Sequence, residues 1–384
     1  MFKAAIGHSE DVDSKDAIEE ILEQCQKDLG ALTAQAGILY SSIDQEHEVL
    51  LNAINQAHPN IELIGCSSDG EISSVLGFTE DSVTLILFCS DEIDIKSGVV
   101  DVLSDDFEQK VSDAIKTTTQ RSEKENRLCI INPSGLTASG VIVLEEFKKN
   151  LGELFPIFGG SAADQWKFEK TYQFHKNTVL TDAIPFLIFS GPLIFGSGVK
   201  SGWSPIGEPG IITQVDKNIL YKIDDKTAIE FFEQYLGENI TNPGEYPLAI
   251  FENEESDEFY LRAAIALNQE DGSAVFAGDI PINKKTQITL ANINQILAAS
   301  KDSVNQSIKT YKGEKPEVAL CFSCAGRRQV LGTRVSEEYQ LLKELNSEFK
   351  VFGFYGFGEI APISKNGPAK FHNETFVSLM LGTG

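Results

Sequence analysis

One loop is written twice in this chain, and a chain that repeats itself must fold as repeated units. Residues 63–72 read Leu-Ile-Gly-Cys-Ser-Ser-Asp-Gly-Glu-Ile, and residues 351–360 read Val-Phe-Gly-Phe-Tyr-Gly-Phe-Gly-Glu-Ile. The shared core is an apolar pair, a glycine (Gly65, Gly353), four variable residues and Gly-Glu-Ile, with Glu71 matching Glu359. Each copy is followed by Phe-x-x-acid-hydroxyl, Phe78 to Ser82 and Phe371 to Thr375, opening a second apolar run. A weaker third copy stands between them at 156–164. Strands that run into glycine-rich backbone are where α/β proteins usually hold their ligands.

The flanking segments extend the repeat. Unit one offers strands at 37–41, 61–66 and 82–89 and a helix at 46–57, whose Val49, Leu50, Ala53, Ile54 and Ala57 share one face. Unit two offers strands at 128–131, 155–158 and 184–189 and a helix at 140–151, with the middle loop copy degraded. Unit three offers strands at 318–322, 351–354 and 376–381 and a helix N-capped by Ser336. Strand–helix–strand units imply crossovers and partly parallel sheets. Between units two and three the pattern changes. Residues 193–223 read as hairpins, 259–280 as two strands around Asp271-Gly272, and 227–236 and 290–311 as amphipathic helices, the first stopped by Gly237. The expected fold is α/β, with mixed sheets flanked by helices plus antiparallel hairpins. Two domains are expected, 1–220 and 221–384.

Composition narrows the function. A net charge of −25 over 384 residues argues against a nucleic-acid surface and against docking on anionic lipid. No stretch reads as a signal peptide or membrane span. Six cysteines over this length make no secreted framework, so a cytoplasmic protein with reduced thiols is expected.

Catalytic signals are sparse. No P-loop, dinucleotide fingerprint or Gly-x-Ser-x-Gly elbow occurs. Cys321-Phe-Ser-Cys324 has redox spacing, but it ends a strand instead of opening a helix, and no second pair completes a zinc site. Arg327 and Arg328 either grip a carboxylate or phosphate or pair with an internal acid. Glu71 and Glu359 either meet an ammonium group or cap neighbouring backbone. His47 and His58 flank a surface helix and are expected to be solvated. His175 ends a strand, and His372 opens the last one.

These motifs together resemble the FIST sensory proteins. The resemblance rests on Gly65–Ile72, Gly159-Gly-Ser-Ala-Ala-Asp164, Ser201-Gly-Trp-Ser-Pro-Ile-Gly207, Cys321–Arg327, Gly353–Pro362 and Phe371–Thr375, in order along nearly the whole chain. It implies FIST N and FIST C halves and a non-enzymatic signal-input protein that binds a small ligand. The loop tips then line a sensory pocket, with Gly65, Cys66, Ser67 and Glu71 from the first and Gly160, Ser161 and Asp164 from the second. Tyr355, Gly358 and Glu359 come from the third, joined by Arg327 and Arg328. Two ligands compete. The NosP branch binds haem and answers nitric oxide, for which His372 and then His175 are the candidate iron ligands. The other is an amino acid, its ammonium on Glu71 or Glu359 and its carboxylate on Arg327 or Arg328. With no output domain in view, the signal passes to a separate histidine kinase or cyclic-di-GMP enzyme, and homo-oligomers are compatible. The reading from another class is a thiol-redox protein or enzyme using Cys321 and Cys324.

Overall fold

The computed structural model describes residues 1–384 apart from 104, 105, 239, 254, 256, 346–348 and 365. Its body contains three units of one design. Unit one runs β1 (Phe2–Ser9), α1 (Ser14–Leu29), β2 (Ala36–Ser41), α2 (His47–Ala57), β3 (Glu62–Ser67), the hairpin β4 (Glu71–Ser73) and β5 (Gly77–Thr79), then β6 (Val83–Ser90). Unit two repeats the order with β7 (Asp94–Asp101), α3 (Phe107–Thr119), β8 (Asn126–Ile131), α4 (Gly140–Leu151), β9 (Ile157–Gly160), the hairpin β10 (Gln173–His175) and β11 (Thr178–Leu180), and β12 (Ala183–Ser190).

Unit three begins with β13 (Ile194–Lys200) and is then interrupted. The interruption holds β14 (Ser204–Asp216), β15 (Ile219–Ile223), β16 (Lys226–Thr227), α5 (Ala228–Leu236), β17 (Leu248–Phe251), β18 (Phe259–Arg262), β19 (Ala264–Asn268), β20 (Ser273–Phe276) and β21 (Lys285–Leu290). The unit resumes with α6 (Ile293–Thr310), β22 (Val318–Cys324), α7 (Ala325–Leu331), α8 (Ser336–Leu345), β23 (Lys350–Gly356), the hairpin β24 (Glu359–Pro362) and β25 (Ala369–His372), and β26 (Phe376–Gly382). Residue 220 lies inside β15, and β13 pairs with β26 in one sheet.

Each unit builds a mixed sheet with one parallel pair (β2–β3, β8–β9, β22–β23). The hairpins, however, are passed on. The β4–β5 hairpin joins the sheet of unit three, β10–β11 that of unit one, and β24–β25 that of unit two. The three sheets turn one face to a shared core that includes Tyr40, Phe88, Phe158, Phe189, Phe322 and Phe354. Helices cover the outer faces over separate apolar layers. The insertion has a core of its own around Phe232, Phe276 and Ile288. Its helix is closed by a Thr227–Glu230 capping box and Gly237, as the sequence pattern requires.

The repeated glycine has a steric cause. At Gly65, Gly159 and Gly353 a Cβ would run into the carbonyl oxygen of Leu39, Ile131 and Cys321, the residue paired with it on the parallel neighbour. The middle copy is therefore complete at this position. Register also supplies its missing glutamate. Ile72, Phe174 and Ile360 pair with Gly353, Gly65 and Gly159, which makes Gln173 the counterpart of Glu71 and Glu359. A longer loop after Gly160 displaced it in the sequence.

Two local expectations fail. His47 and His58 are buried: His47 gives Nε2–H to the Ser42 carbonyl at 2.9 Å and packs on Tyr172 and Phe174. His372 ends β25, and the last strand starts later, at Phe376.

Gly159→Ala should cost about 3 kcal/mol, at the top of the range for overpacking, because backbone on two paired strands must move. Gly152→Ala, with φ +114° and nothing within 4 Å of the added carbon, should cost about 1 kcal/mol from backbone strain alone. Denaturant melts of the two variants check the difference.

Candidate functional site

The insertion does not lie flat on the body. A cleft of about 540 Å³ separates them, within the size range of small-molecule sites. The body contributes the loop Gly135–Ser139 after β8, the start of α7, Trp166, Phe168 and Phe357, and the turn Asn373-Glu374. The insertion contributes Asn218, Asn242, Glu245 and Asp279 among others. Arg262 fixes the two parts together. Its buried guanidinium gives hydrogen bonds to the carbonyls of Phe371 at 2.7 Å and Asp279 at 3.0 Å.

The floor is the Asn373-Glu374 turn between β25 and β26. Asn373 is held on both sides by the insertion: its N–H donates to the Leu261 carbonyl and its Oδ1 accepts from the Ala263 N–H, both at 3.2 Å. This leaves Nδ2 buried without a partner. Glu374 packs its carboxyl against Gly326, where no side chain fits, and its Oε2 is also unpartnered. Burial pushes the Glu374 carboxyl up to about 8 against the pull of Arg327. The turn itself is not special. Asp81, Asp182 and Glu374 hold the same place in the three units, all left-handed, with φ +53°, +56° and +57°. Only Glu374 lies beneath the insertion. At the cleft wall, Phe168 stacks on Phe357 with ring centres 5.3 Å apart, and Trp166 meets both rings edge-on.

The residues expected to line a site lie elsewhere. None of Gly65, Cys66, Ser67, Glu71, Gly160, Ser161, Asp164, Arg327, Arg328, Tyr355, Gly358 and Glu359 lines this cleft. Glu71 accepts short hydrogen bonds from the Ser68 and Ser82 hydroxyls. Ser82 and Thr79 in turn meet His8 Nε2, at 2.9 and 2.8 Å. Glu359 accepts from the Thr375 N–H and hydroxyl at 3.1 and 2.8 Å, and Gln173 from the Ala183 N–H at 3.2 Å. All three tie a hairpin to the strand that follows it. Asp164 likewise accepts from the backbone of Phe168, Glu169 and Lys170.

The arginines are internal too. Arg327 and Glu338 form a fully buried pair at 2.6 Å, joined by Ser300 and the Tyr355 hydroxyl. Arg328 bridges Asp69 and Glu80, each at 2.7 Å, and so ties α7 to unit one. Asp69 also accepts from the Trp166 indole at 3.1 Å, which links this bridge to the cleft wall.

Cys324 differs from expectation. It ends β22 but is also the residue before α7, a helix the sequence pattern did not reveal. The setting does not make a thiolate. Burial and the neighbouring Glu359 and Glu374 raise the Cys324 thiol well above its ordinary value, and burial raises Cys321 as well. Among the described residues no group of three or more His, Cys, Asp or Glu is placed to hold a metal.

A haem does not fit the candidate ligands. His372 is 1% exposed, its Nε2–H donates to the Ala361 carbonyl at 2.8 Å, and burial lowers it to about 4. It borders a separate hollow of about 430 Å³, and His175 Nε2 is 3.1 Å from the Ser97 hydroxyl. Neither lines the cleft above Glu374. Haem added to the protein is expected to keep its free Soret band. A shifted band that His372→Ala or His175→Ala abolishes would reverse this assignment.

The buried titratable groups set a pH dependence. Asp69, Glu71 and Glu374 titrate near 6, 7 and 8 in the fold, chiefly through burial, against ordinary values of 3.8, 4.5 and 4.5. The fold keeps protons that the unfolded chain has released, so their contribution is lost as pH rises towards 8. His8, His175 and His372 are lowered by burial to about 3, 4 and 4 from 6.5, so theirs is lost as pH falls below 6.5. The melting temperature should therefore peak between about pH 4.5 and 6.5 and decline on both sides, as a thermal-melt series across pH would read.

The comparisons with known proteins agree with the sequence resemblance. Residues 35–226 match the FIST N domain and 228–362 the FIST C domain. An uncharacterized protein of Methanocaldococcus jannaschii is 26% identical over 347 residues, covering 85% of this chain and 66% of its own. The chain thus spans just under two thirds of that relative. Two solved structures align over most of their length at 8% identity. A cyanuric acid hydrolase from A. caulinodans has a TM-score of 0.38, with 100% of this chain and 99% of that one covered. A chorismatase has a TM-score of 0.37, with 92% and 95% covered. Both are too distant to carry an argument. No helix among the described residues is long and apolar enough to cross a membrane. The two domain matches, which together span most of the sequence, place this chain in the FIST family of signal-transduction sensory proteins.

Proposed function

We propose that this protein is a non-enzymatic sensor whose cleft takes a small molecule presenting a protonated amine beside a hydrogen-bond acceptor, an amino acid being the simplest. The observation that carries this is the floor: Glu374 Oε2 and Asn373 Nδ2, both buried and both unpartnered, on adjacent residues. Unmade hydrogen bonds at buried polar atoms are costly, and a ligand supplying donor and acceptor together would satisfy both. The aromatic wall of Trp166, Phe168 and Phe357 suits either an apolar side chain or a second cation. An amino-acid ligand keeps the chemistry expected from the sequence but moves its ammonium from Glu71 or Glu359 to Glu374. The protonated state of Cys321 and Cys324 supports a sensor over a thiol-redox protein. We infer that occupancy is passed on through α7, whose Gly326 touches Glu374 and whose Arg328 grips unit one, to a separate partner. A histidine kinase or a cyclic-di-GMP enzyme is the partner class that the family resemblance suggests.

A thermal-shift screen with amino acids and simple amines, followed by calorimetric titration, tests the site. A ligand that binds only the folded state raises the melting temperature by mass action. Affinity should rise with pH by up to about tenfold per unit below 8, because the ammonium replaces the proton on Glu374. Glu374→Gln should weaken binding at least about tenfold and flatten that slope. If no amine shifts the melt, or if Glu374→Gln binds like the parent, the amine reading fails.

A further inference from the structure

The three units meet at three seams, and the seams are not closed alike. At the position three residues before the repeated glycine, unit one carries Glu62, unit three Lys350 and unit two Pro156. Glu62 closes its seam with charge. It pairs with Arg121 at the end of α3, accepts from the Ser97 N–H and hydroxyl at 3.1 and 2.6 Å, and has Lys176 at 3.6 Å. Lys350 closes the next, pairing with Asp28 of α1 and Glu317 and donating to the Ala4 carbonyl.

Pro156 brings no charge, and its seam is hollow. The cavity measures about 570 Å³ and lies between β9, β13, the end of α6 and the outer end of the β24–β25 hairpin. Its walls are apolar, with Leu154, Phe158, Leu193, Phe195 and Ile363, while Ser197 stands where the closed seam has Ser97. Its charged lining residues are Arg127 and Lys312, with no acid among the described lining residues of a chain whose net charge is −25. Among the described residues Arg127 has only a long 3.5 Å contact with the exposed Glu125, and Lys312 makes no ion pair. An apolar chamber edged by two cations is complementary to a molecule with an acidic head and an apolar body.

We propose that this third seam is a binding site for a small organic anion with an apolar body, its carboxylate, sulfonate or phosphate held at Arg127 and Lys312. The missing seam charge is what the ligand supplies: its acid stands towards the α6 end as Glu62 stands towards the α3 end. The site is separate from the cleft floored by Glu374, although one hairpin borders both. Its outer end lines the seam, and β25 leads directly into Asn373 and Glu374.

The test uses 8-anilinonaphthalene-1-sulfonate, which has the required head and body, with the full chain at neutral pH. Saturable fluorescence enhancement at one site per chain is expected, reversed by decanoate. Lys312→Glu should weaken it about tenfold, since it replaces an attraction by a repulsion. Pro156→Glu should do the same by placing in the seam the charge that Glu62 carries in its neighbour. Phe357→Ala, in the other cleft, should leave binding unchanged. Melting curves and circular dichroism establish that each variant is folded, and Lys312→Glu alone suffices if Pro156→Glu is not. Absence of saturable binding, binding by Lys312→Glu equal to the parent, or loss of binding in Phe357→Ala would overturn the proposal.

Discussion

The hairpin of β4 and β5 hydrogen-bonds to β23, on the far side of the sequence, and the other two hairpins make the corresponding exchange. No unit has a complete sheet of its own, so the shared core exists only when all three are present. The exchange places every hairpin across a glycine, because the strand it joins runs tight against its parallel neighbour there. It also explains the buried acceptor at each hairpin start. Glu71, Gln173 and Glu359 gather the N–H or hydroxyl groups that open the next strand, and so hold the chain in the turn that returns it to its own sheet. Burying a carboxylate for such a task is costly, which is why Glu71 is driven up to about 7.

Both proposed sites lie where the symmetry is broken. Three equivalent turns carry Asp81, Asp182 and Glu374 in one backbone conformation, yet the first is exposed and the second half-buried. The insertion in unit three roofs the last one and turns a solvated acid into an uncharged group at the base of a cleft. The same logic applies to the seams: two are closed by ion pairs and the third is left open. A fold built from repeats offers each position three times, so a site needs a change at only one of them.

Much of this was legible in the sequence. The paired loops and the helices at 46–57 and 140–151 follow from spacing and appear where expected, although the first helix buries His47 and Leu51 and leaves Ala57 exposed. The steric need for glycine beside each parallel neighbour emerges only from the strand pairing. The FIST resemblance rested on the same residues. What the sequence did not reveal were relations between distant segments. Gln173 was hidden by a long loop after Gly160, so that register alone identifies it. Glu71 and Glu359 stood out through repetition, but repetition here marks a structural task. Glu374 lay within the same Phe-x-x-acid-hydroxyl signature and carried no mark of its own, since its chemistry comes from what covers it. Arg327 and Arg328 had two readings, and the internal ion pairs are the one the packing adopts. His47 and His58 were misplaced because a helix flank can be covered by a neighbouring hairpin as easily as by water.

The exchanged hairpins also bear on how such a chain is made. Synthesis proceeds from the N-terminus, and a domain commonly folds as soon as it has emerged. Here the first hairpin has no sheet to join until β23, two units further on, has been translated. Until then it must wait with its edge unpaired, and the first unit lacks the strands that unit two will lend it. The body therefore closes as a ring whose last link joins the hairpin of unit one to the sheet of unit three. A ribosome stalled midway would hold a chain with exposed strand edges and no finished sheet, a species prone to pair with its neighbours.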